Sequence, residues 1–348
     1  MTRIEELSAI ECAEGTLRRF RMTNAEGAYV ELCNVGAGIT SVVVPDREGA
    51  MADVLLGYDD PRDYVGDGPC MGKIPGRYAN RIAAGRFTLD GVAYEVPVNC
   101  GPNHLHGGPD GFANQLWTAS IEGESVVFSL HSADGHAGFP SALDVVAKYT
   151  WNDDNCLTLN ISAQTDGATV LNLTNHAYWN LSGHDTGSAL DHHLRLWASR
   201  WLPTDPSLVP TGELQAVAGT PMDFTMPQVI GSRIEADFDA LRYGKGYDNC
   251  WVIDGAESEL RCAAELYDPK SGRVMTVATD QPAVQVYTGN WLDDSPMGKG
   301  AYKYHDYAGV AIECQNFPDA PNQPSFPTSV LRRGERYDRT ISFAFSVR

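Results

Sequence analysis

The chain has 348 residues, of which 26 are Lys or Arg and 45 are Asp or Glu, so its formal net charge at pH 7 is −19. A charge this negative argues against nucleic acids and anionic membranes as partners, because both are bound through clustered Lys and Arg. No run of 18 apolar residues is present, and residues 1–7 carry charges where a signal peptide has its apolar segment. The composition therefore predicts a soluble, cytoplasmic protein without a nucleic-acid or membrane partner.

Glycine and proline are spread through the chain, and no linker, repeat or low-complexity segment interrupts it. The length alone would allow two domains, but all-β folds often reach this size as one unit. We therefore expect residues 1–348 to form a single domain.

Strand signals dominate from the N-terminus to the C-terminus. Asp90-Gly91 separates two β-prone runs, as a type I′ hairpin turn requires, and helical periodicity is confined to residues 61–65 and 232–241. The other β-prone runs are residues 39–44, 125–131, 143–151, 156–163, 169–181, 274–279, 284–288, 310–314 and 340–347. This pattern predicts an all-β protein, a large antiparallel sandwich with few short helices.

The first polar motif along the chain is Asn103-His-Leu-His-Gly-Gly. In an extended segment His104 and His106 would lie on one side, and the two glycines would let the backbone approach a ligand closely. A His-x-His pair can also begin a metal site of two histidines and a carboxylate. Because no further ligand pattern accompanies it, we expect no metal, and the metal site remains the alternative.

A row of polar residues follows between positions 171 and 180. Alternate residues of a strand share a face, which would group five polar side chains: Asn172, Thr174, His176, Tyr178 and Asn180. Hydrogen-bonding groups beside an aromatic ring suit a concave sugar site, because the ring packs on the C–H face of a pyranose. The alternative interpretation is a solvated sheet face with an incidental histidine.

Two later strands carry similar signals. Alternation directs Glu313 away from Val310 and Ile312, and it places Gln285 and Tyr287 together on one face. A carboxylate beside an apolar strand is desolvated, which raises its pKa toward the range of a general base. The alternative for Glu313 is an exposed position on an edge strand.

Six motifs occur along the chain: Gly76-Arg-Tyr-Ala-Asn-Arg-Ile, Asn103-His-Leu-His-Gly-Gly, Leu173-Thr-Asn-His-Ala-Tyr-Trp-Asn-Leu-Ser-Gly, Gly244-Lys-Gly-Tyr-Asp, Val286-Tyr-Thr-Gly-Asn and Glu313-Cys-Gln-Asn-Phe-Pro-Asp-Ala-Pro-Asn-Gln-Pro. In this order they closely resemble the aldose 1-epimerases, or galactose mutarotases, and the resemblance extends from about Asn34 to Phe345. It implies a large twisted β-sandwich of the galactose mutarotase type with an open sugar cleft. It also implies interconversion of the α and β anomers of free aldoses, such as glucose or galactose, without a cofactor.

The resemblance also implies roles for individual residues. His176 corresponds to the general acid of the family and Glu313 to its general base. By the same resemblance, the residues expected to bind the sugar are Asn80, Arg81, His106, Asp248 and Gln285. Tyr178 is added to them because it lies two positions from His176 in the chain, and not because of the resemblance. The chain departs from the family pattern at Asn249, where a histidine often follows the aspartate, and this change bears on hydroxyl specificity.

Opening a hemiacetal ring requires removal of a proton from the C1 hydroxyl and delivery of a proton to the ring oxygen. Because acid and base exchange roles when the ring recloses, we expect both pKa values near the working pH and a bell-shaped pH profile. No metal or covalent intermediate is needed for this chemistry.

Two other functions fit parts of the sequence. One is a carbohydrate-binding module that binds sugar without turnover. The other is a hexose-phosphate epimerase of a related branch, which would need several cationic side chains around the phosphate. Only Arg77 and Arg81 lie close together among the motifs, so a free aldose is the expected substrate, bound by a monomer or a homodimer.

Overall fold

The structure, a computed structural model, describes residues 2–256 and 259–348. Its largest sheet has nine strands, and each strand is antiparallel to its neighbours. In spatial order these strands are Thr118–Glu122, Ser125–Ser132, Leu143–Trp151, Cys156–Thr165, Tyr337–Val347, Arg273–Thr279, Arg261–Tyr267, His193–Leu196 and Gln228–Val229.

A six-stranded antiparallel sheet, here called the site sheet, positions the candidate functional residues. In spatial order its strands are Tyr178–Trp179, Val310–Gln315, Ala283–Tyr287, Asp248–Val252, Arg200–Leu202 and Gln215–Ala216. A five-stranded sheet near the N-terminus has the order Arg3–Glu6, Arg19–Thr23, Tyr29–Cys33, Gly38–Pro45 and Met51–Asp53.

Shorter elements connect these sheets. Four strand pairs are Ile10–Cys12 with Gly15–Leu17, Arg81–Ile82 with His104–Leu105, Arg86–Leu89 with Val92–Glu95, and Thr169–Val170 with Val330–Leu331. The described part of the chain has one α-helix, Asp239–Gly244, and 3-10 turns at Pro61–Tyr64, Ala83–Gly85, Phe112–Asn114, His136–Gly138, Ile230–Ser232, Lys299–Ala301 and Ala320–Asn322. Within the described ranges, no helix has the length and apolar character to cross a membrane.

The site sheet packs one face against the nine-stranded sheet. Val284, Val286, Val310 and Ile312 belong to the same buried cluster as Val277 and Phe343 of the larger sheet. The Trp179 ring lies 5.1 Å from Phe343 and 5.6 Å from Phe345, measured between ring centroids. Alternating apolar residues on two facing sheets make a sandwich core, so the predicted all-β sandwich is confirmed. The opposite face of the site sheet carries Asp248, Gln285, Tyr287 and Glu313.

The hairpin turn predicted at Asp90-Gly91 is confirmed. Asp90 and Gly91 have φ values of 51° and 81°, as a type I′ turn requires, and they join Arg86–Leu89 to Val92–Glu95. The prediction of a helix over residues 232–241 was wrong in its bounds, since the α-helix is Asp239–Gly244.

The prediction of a continuous strand over residues 169–181 was also wrong. Only Thr169–Val170 and Tyr178–Trp179 are strands, and the segment between them is irregular. Asn172 donates to the carbonyls of Ala79 and Asn316, whereas Asn180 donates to those of Gly187 and Ala308. The polar side chains therefore do not share one face, because long-range hydrogen bonds replace the strand ladder here.

Candidate active site

A cavity of about 490 Å³ lies on the outer face of the site sheet. Seven of the eight site residues expected from the sequence line it: Asn80, Arg81, His106, His176, Tyr178, Asp248 and Glu313. The eighth, Gln285, does not line the cavity but contacts a residue that does. The cavity is also lined by Leu208, Tyr287 and Trp291, which the sequence analysis did not include among the site residues.

His176 and Glu313 meet on the floor of this cavity, 137 positions apart in the chain. The distance between His176 Nε2 and Glu313 Oε1 is 3.5 Å, and the two side chains are 5% and 2% exposed. Glu313 lies on a central strand whose alternate residues enter the core, and Tyr178, two residues after His176, is paired with Ala311 of that strand. This pairing holds the segment that follows His176 beside the strand of Glu313.

Burial dominates the electrostatics of this pair. It lowers the pKa of His176 to about 4 and raises the pKa of Glu313 well above its usual value, and the charge of Asp248 raises the latter further. Both groups therefore favour their neutral forms, so the pair carries one proton across the neutral pH range. That burial raises the pKa of Glu313 was predicted from the sequence, but the lowering of the pKa of His176 away from neutral pH was not.

Asp248 is held by two neighbours. Gln285 Nε2 donates to Asp248 Oδ1 at 2.6 Å, and Arg81 Nη2 lies 3.4 Å from Asp248 Oδ2. Asp248 pairs with Tyr287 in the sheet register, and Gln285 is opposite Glu313. Gln285 therefore acts on the cavity through Asp248, whose carboxylate can accept hydrogen bonds from sugar hydroxyls.

The neighbouring Asn249 has its own structural role. Its side chain is fully buried, it is absent from the cavity lining, and its Oδ1 accepts from the Asp248 backbone N–H at 3.3 Å. Asn249, the residue at which the chain departs from the family pattern, is therefore buried next to the cavity lining and is not part of it.

His106 is a hydrogen-bond donor of defined tautomer. Its Nδ1 accepts the Asn80 backbone N–H at 3.1 Å, and its own backbone N–H donates to the Asn80 carbonyl at 3.1 Å. The neutral ring therefore carries its proton on Nε2. Burial and the nearby His176 and Arg81 lower the pKa of His106 well below the usual histidine value, so the ring remains a neutral donor.

This tautomer also bears on metal binding. Ligand atoms of His106, His176 and Glu313 lie within 4.8 Å of one another, as in a site of two histidines and a carboxylate. On His106, however, Nδ1 is occupied by the Asn80 N–H and Nε2 carries the proton. Neither nitrogen offers a free lone pair, so the arrangement fits a hydroxyl-bearing ligand better than a metal ion.

Aromatic rings form one wall of the cavity. The rings of His176 and Tyr178 are 4.9 Å apart and those of Tyr178 and Tyr287 6.0 Å apart, measured between centroids. The Tyr178 hydroxyl donates to the Pro69 carbonyl at 3.1 Å, and Tyr178 is among the residues that line the cavity. At the rim, Trp291 is 60% exposed. Strand alternation had already grouped Tyr287 with Gln285 and was the signal that could have identified it.

Arg77, unlike Arg81, does not line the cavity. Its side chain is 2% exposed and donates to the carbonyls of Pro140 and Ser141, each at 2.7 Å, and to Ser132 Oγ at 2.6 Å. These bonds brace loops outside the cavity, so the two arginines of the motif do not form a phosphate-binding pair.

Comparison of this chain with known proteins identifies its family. A family model described as aldose 1-epimerase matches residues 18–344. Galactose mutarotase from Bos taurus is 41% identical over 333 residues, which cover 96% of this chain and 95% of that protein. Aldose 1-epimerase from Escherichia coli (strain K12) is 35% identical and covers 94% of this chain and 95% of that protein.

Solved structures show the same fold. An aldose epimerase homologue from C. elegans has a TM-score of 0.86 at 29% identity, covering 100% of this chain and 99% of that one. Galactose 1-epimerase from Lactobacillus acidophilus NCFM has a TM-score of 0.86 at 26% identity, with the same coverage. From its sequence, its fold and the residues around its cavity, this chain belongs to the aldose 1-epimerase family.

Proposed function

We propose that the protein is a cofactor-independent aldose 1-epimerase, which interconverts the α and β anomers of free aldoses such as glucose or galactose. The observation that carries this proposal is the acid–base pair of His176 and Glu313, 3.5 Å apart and buried in a cavity that also presents neutral and charged hydrogen-bonding groups. Two relatives that match nearly the whole chain are named galactose mutarotase and aldose 1-epimerase, and these names support the same activity.

In the proposed mechanism, Glu313 accepts the proton of the C1 hydroxyl while His176 donates a proton to the ring oxygen. The pair needs one proton in total. When sugar hydroxyls donate to the Glu313 carboxylate and stabilise its charge, that proton lies on His176 and the two groups form an ion pair. The open chain then rotates about the C1–C2 bond, and reclosure with reversed roles yields the other anomer. Each such group typically contributes ~10²–10⁴ in rate, so the two groups together can contribute ~10⁴–10⁸.

The remaining residues are proposed to hold and orient the sugar. His106 donates from Nε2 and Arg81 from its guanidinium, which favours negative charge developing on a sugar oxygen. Asp248 accepts hydroxyl hydrogen bonds, with Gln285 fixing its orientation. Asn80 supplies a side-chain amide to the cavity lining, and Tyr178 supplies an aromatic ring that can pack on the apolar face of the sugar.

The direct test is polarimetry of freshly dissolved α-glucose or α-galactose. The protein should accelerate the approach to the anomeric equilibrium in proportion to its concentration. A carbohydrate-binding module would bind these sugars in calorimetry but leave the rate at its value in buffer. A panel with sugar phosphates should show a preference for free sugars, because Arg77 is committed to loop carbonyls.

The pH dependence should show a broad plateau. The raised pKa of Glu313 means that the pair loses its one proton only on the alkaline side, and the lowered pKa of His176 means that it gains a second only on the acidic side. We therefore expect kcat/KM to be flat across neutral pH and to fall at both extremes. An acidic limb at the ordinary histidine value of 6.5 would contradict this arrangement.

Removal of metals should leave the activity unchanged. Dialysis against EDTA is expected to preserve kcat and KM, because both ring nitrogens of His106 are occupied without a metal. Loss of activity that returns on addition of one divalent metal would favour the two-histidine carboxylate metal enzyme instead.

We further propose that the chain acts as a single cytoplasmic domain, as a monomer or a homodimer. One buried cluster containing Phe20, Trp179 and Phe345 joins the N-terminal sheet to both large sheets, which supports one domain. The net charge of −19 supports the absence of nucleic-acid and membrane partners.

A further inference from the structure

A second pair of ionisable groups lies at the two ends of a segment whose Gly68 and Pro69 line the cavity. The side chains of Asp67 and Lys73 form an ion pair, and both are completely buried. Lys73 Nζ also donates to the Tyr64 carbonyl at 2.7 Å. Asp67 Oδ2 accepts from the Met71 backbone N–H at 2.9 Å and from the Tyr58 hydroxyl at 3.1 Å. The pair therefore closes residues 67–73 into a braced loop.

This loop holds the backbone of His176 from both sides. Gly72 N–H donates to the His176 carbonyl at 2.9 Å, and His176 N–H donates to the Lys73 carbonyl at 2.9 Å. The next aromatic residue, Tyr178, donates its hydroxyl to the Pro69 carbonyl of the same loop. The position of the imidazole therefore depends on the position of the loop.

The loop is itself docked closely on the five-stranded sheet. Ile39 N–H donates to the Gly72 carbonyl at 2.9 Å. A Cβ at Gly72, where φ is +70°, would lie 2.0 Å from the Ile39 carbonyl oxygen, so only glycine permits this approach. The segment thus forms a rigid connection between a sheet and His176.

The stability of the fold does not explain the ion pair. Burying two charges costs several kcal/mol per ion, and apolar residues of similar volume are often equally or more stabilising. A specific orientation, by contrast, is what buried polar groups with satisfied hydrogen bonds can provide.

We propose that the buried Asp67–Lys73 pair is a positioning device for His176, which holds the 67–73 loop against the His176 backbone and so fixes the position of the imidazole ring. This inference rests on the proposed function, in which His176 is the proton donor. Asp67 and Lys73 are positioning residues, because they act through the loop and are absent from the cavity lining.

The charged and titratable groups around His176 come from several segments. They are Asp67, Cys70, Lys73, Arg81, His106, Tyr178, Asp248, Tyr287 and Glu313. Among the charges acting on His176, Asp248 raises its pKa and Lys73 lowers it. Neutralising the Asp67–Lys73 pair should therefore raise the pKa of His176, an effect that a purely structural brace would not produce.

The test compares two double variants with the wild-type protein. Asp67→Asn/Lys73→Met removes both charges with little change in volume. The matched control, Asp53→Asn/Lys299→Met, removes another largely buried pair, in which Lys299 Nζ lies 2.7 Å from Asp53 Oδ2 and the side chains are 8% and 15% exposed. Neither control residue lines the cavity. The measurements are kcat and KM for anomer exchange and the NMR titration of the His176 ring.

We expect Asp67→Asn/Lys73→Met to lower kcat about tenfold to hundredfold, because small displacements of reacting groups are costly, with KM within about twofold. The His176 pKa should rise, because the charge of Lys73 lowers it in the wild-type protein, whereas the control should retain the wild-type kcat and titration. Unchanged kcat and titration, or equal changes in both double variants, would overturn the inference. If Asp67→Asn/Lys73→Met does not fold, Lys73→Gln is measured in the same way and against the same outcomes.

The titration separates this inference from the proposed function. A wild-type protein that does not accelerate anomer exchange would refute the proposed epimerase activity. The His176 titrations would still decide whether the Asp67–Lys73 pair controls the electrostatics of the ring, since they require no turnover.

Discussion

Glu313→Gln is expected to lower kcat for anomer exchange about 10³-fold, with KM changed by less than about threefold. Glutamine keeps the shape of the side chain and its position opposite Gln285 in the sheet, but its amide cannot accept the C1 hydroxyl proton. The measurement is the polarimetric rate at saturating sugar, with binding followed separately by calorimetry. Equal acceleration by the wild-type protein and the variant would remove Glu313 from the proposed mechanism.

The same variant should be more stable than the wild-type protein at alkaline pH. Because burial raises the native pKa of Glu313 well above the ordinary glutamate value of 4.5, the native state keeps a proton that the unfolded state releases. Wild-type stability is therefore lost as pH rises between these two pKa values, by about 1.4 kcal/mol per pH unit. Thermal unfolding across this range should show a Tm difference in favour of Glu313→Gln that grows with pH.

Asp268→Asn is a matched control for Glu313→Gln. Asp268 is fully buried but lies outside the cavity, where it accepts from Ser182 and Ser271 hydroxyls at 2.8 and 2.6 Å. Its substitution should cost stability and leave kcat close to the wild-type value. A large loss of kcat in this control would show that the assay reports general damage to the fold.

His176→Gln is expected to lower kcat about 10²-fold to 10³-fold, because the protein then lacks the group proposed to protonate the ring oxygen. The acidic limb of the pH profile should also disappear, since titration of His176 causes it. The measurement is kcat/KM for anomer exchange as a function of pH. A variant that retains the acidic limb would assign that limb to another group.

His192→Gln provides the corresponding histidine control. His192 is 1% exposed, and burial lowers its pKa to about 4, as for His176, but it lies outside the cavity. Its Nε2 accepts the Leu181 backbone N–H at 2.8 Å. We expect reduced stability and an unchanged pH profile, which distinguishes loss of a buried imidazole from loss of the proposed acid.

The regular strands were predictable because their signals are local. Residues 143–151 alternate between core and surface as the sequence indicated, and the same alternation directed Glu313 to the face opposite Val310 and Ile312. The segment before Tyr178 was not predictable in this way, since its backbone bonds to residues such as Lys73 and Arg77 that are distant in sequence. His176 reaches the cavity through these contacts and not through strand alternation.

The sequence by itself determined the all-β class, the Asp90-Gly91 hairpin and, through the order of six motifs, the family and its expected site residues. Only the tertiary structure decided the distance between His176 and Glu313, the Nε2–H tautomer of His106, the direction of the pKa shifts and the buried Asp67–Lys73 pair. Strand periodicity and turn chemistry depend on near neighbours in the chain. Desolvation, tautomer and proton sharing depend on groups that folding brings together from distant positions.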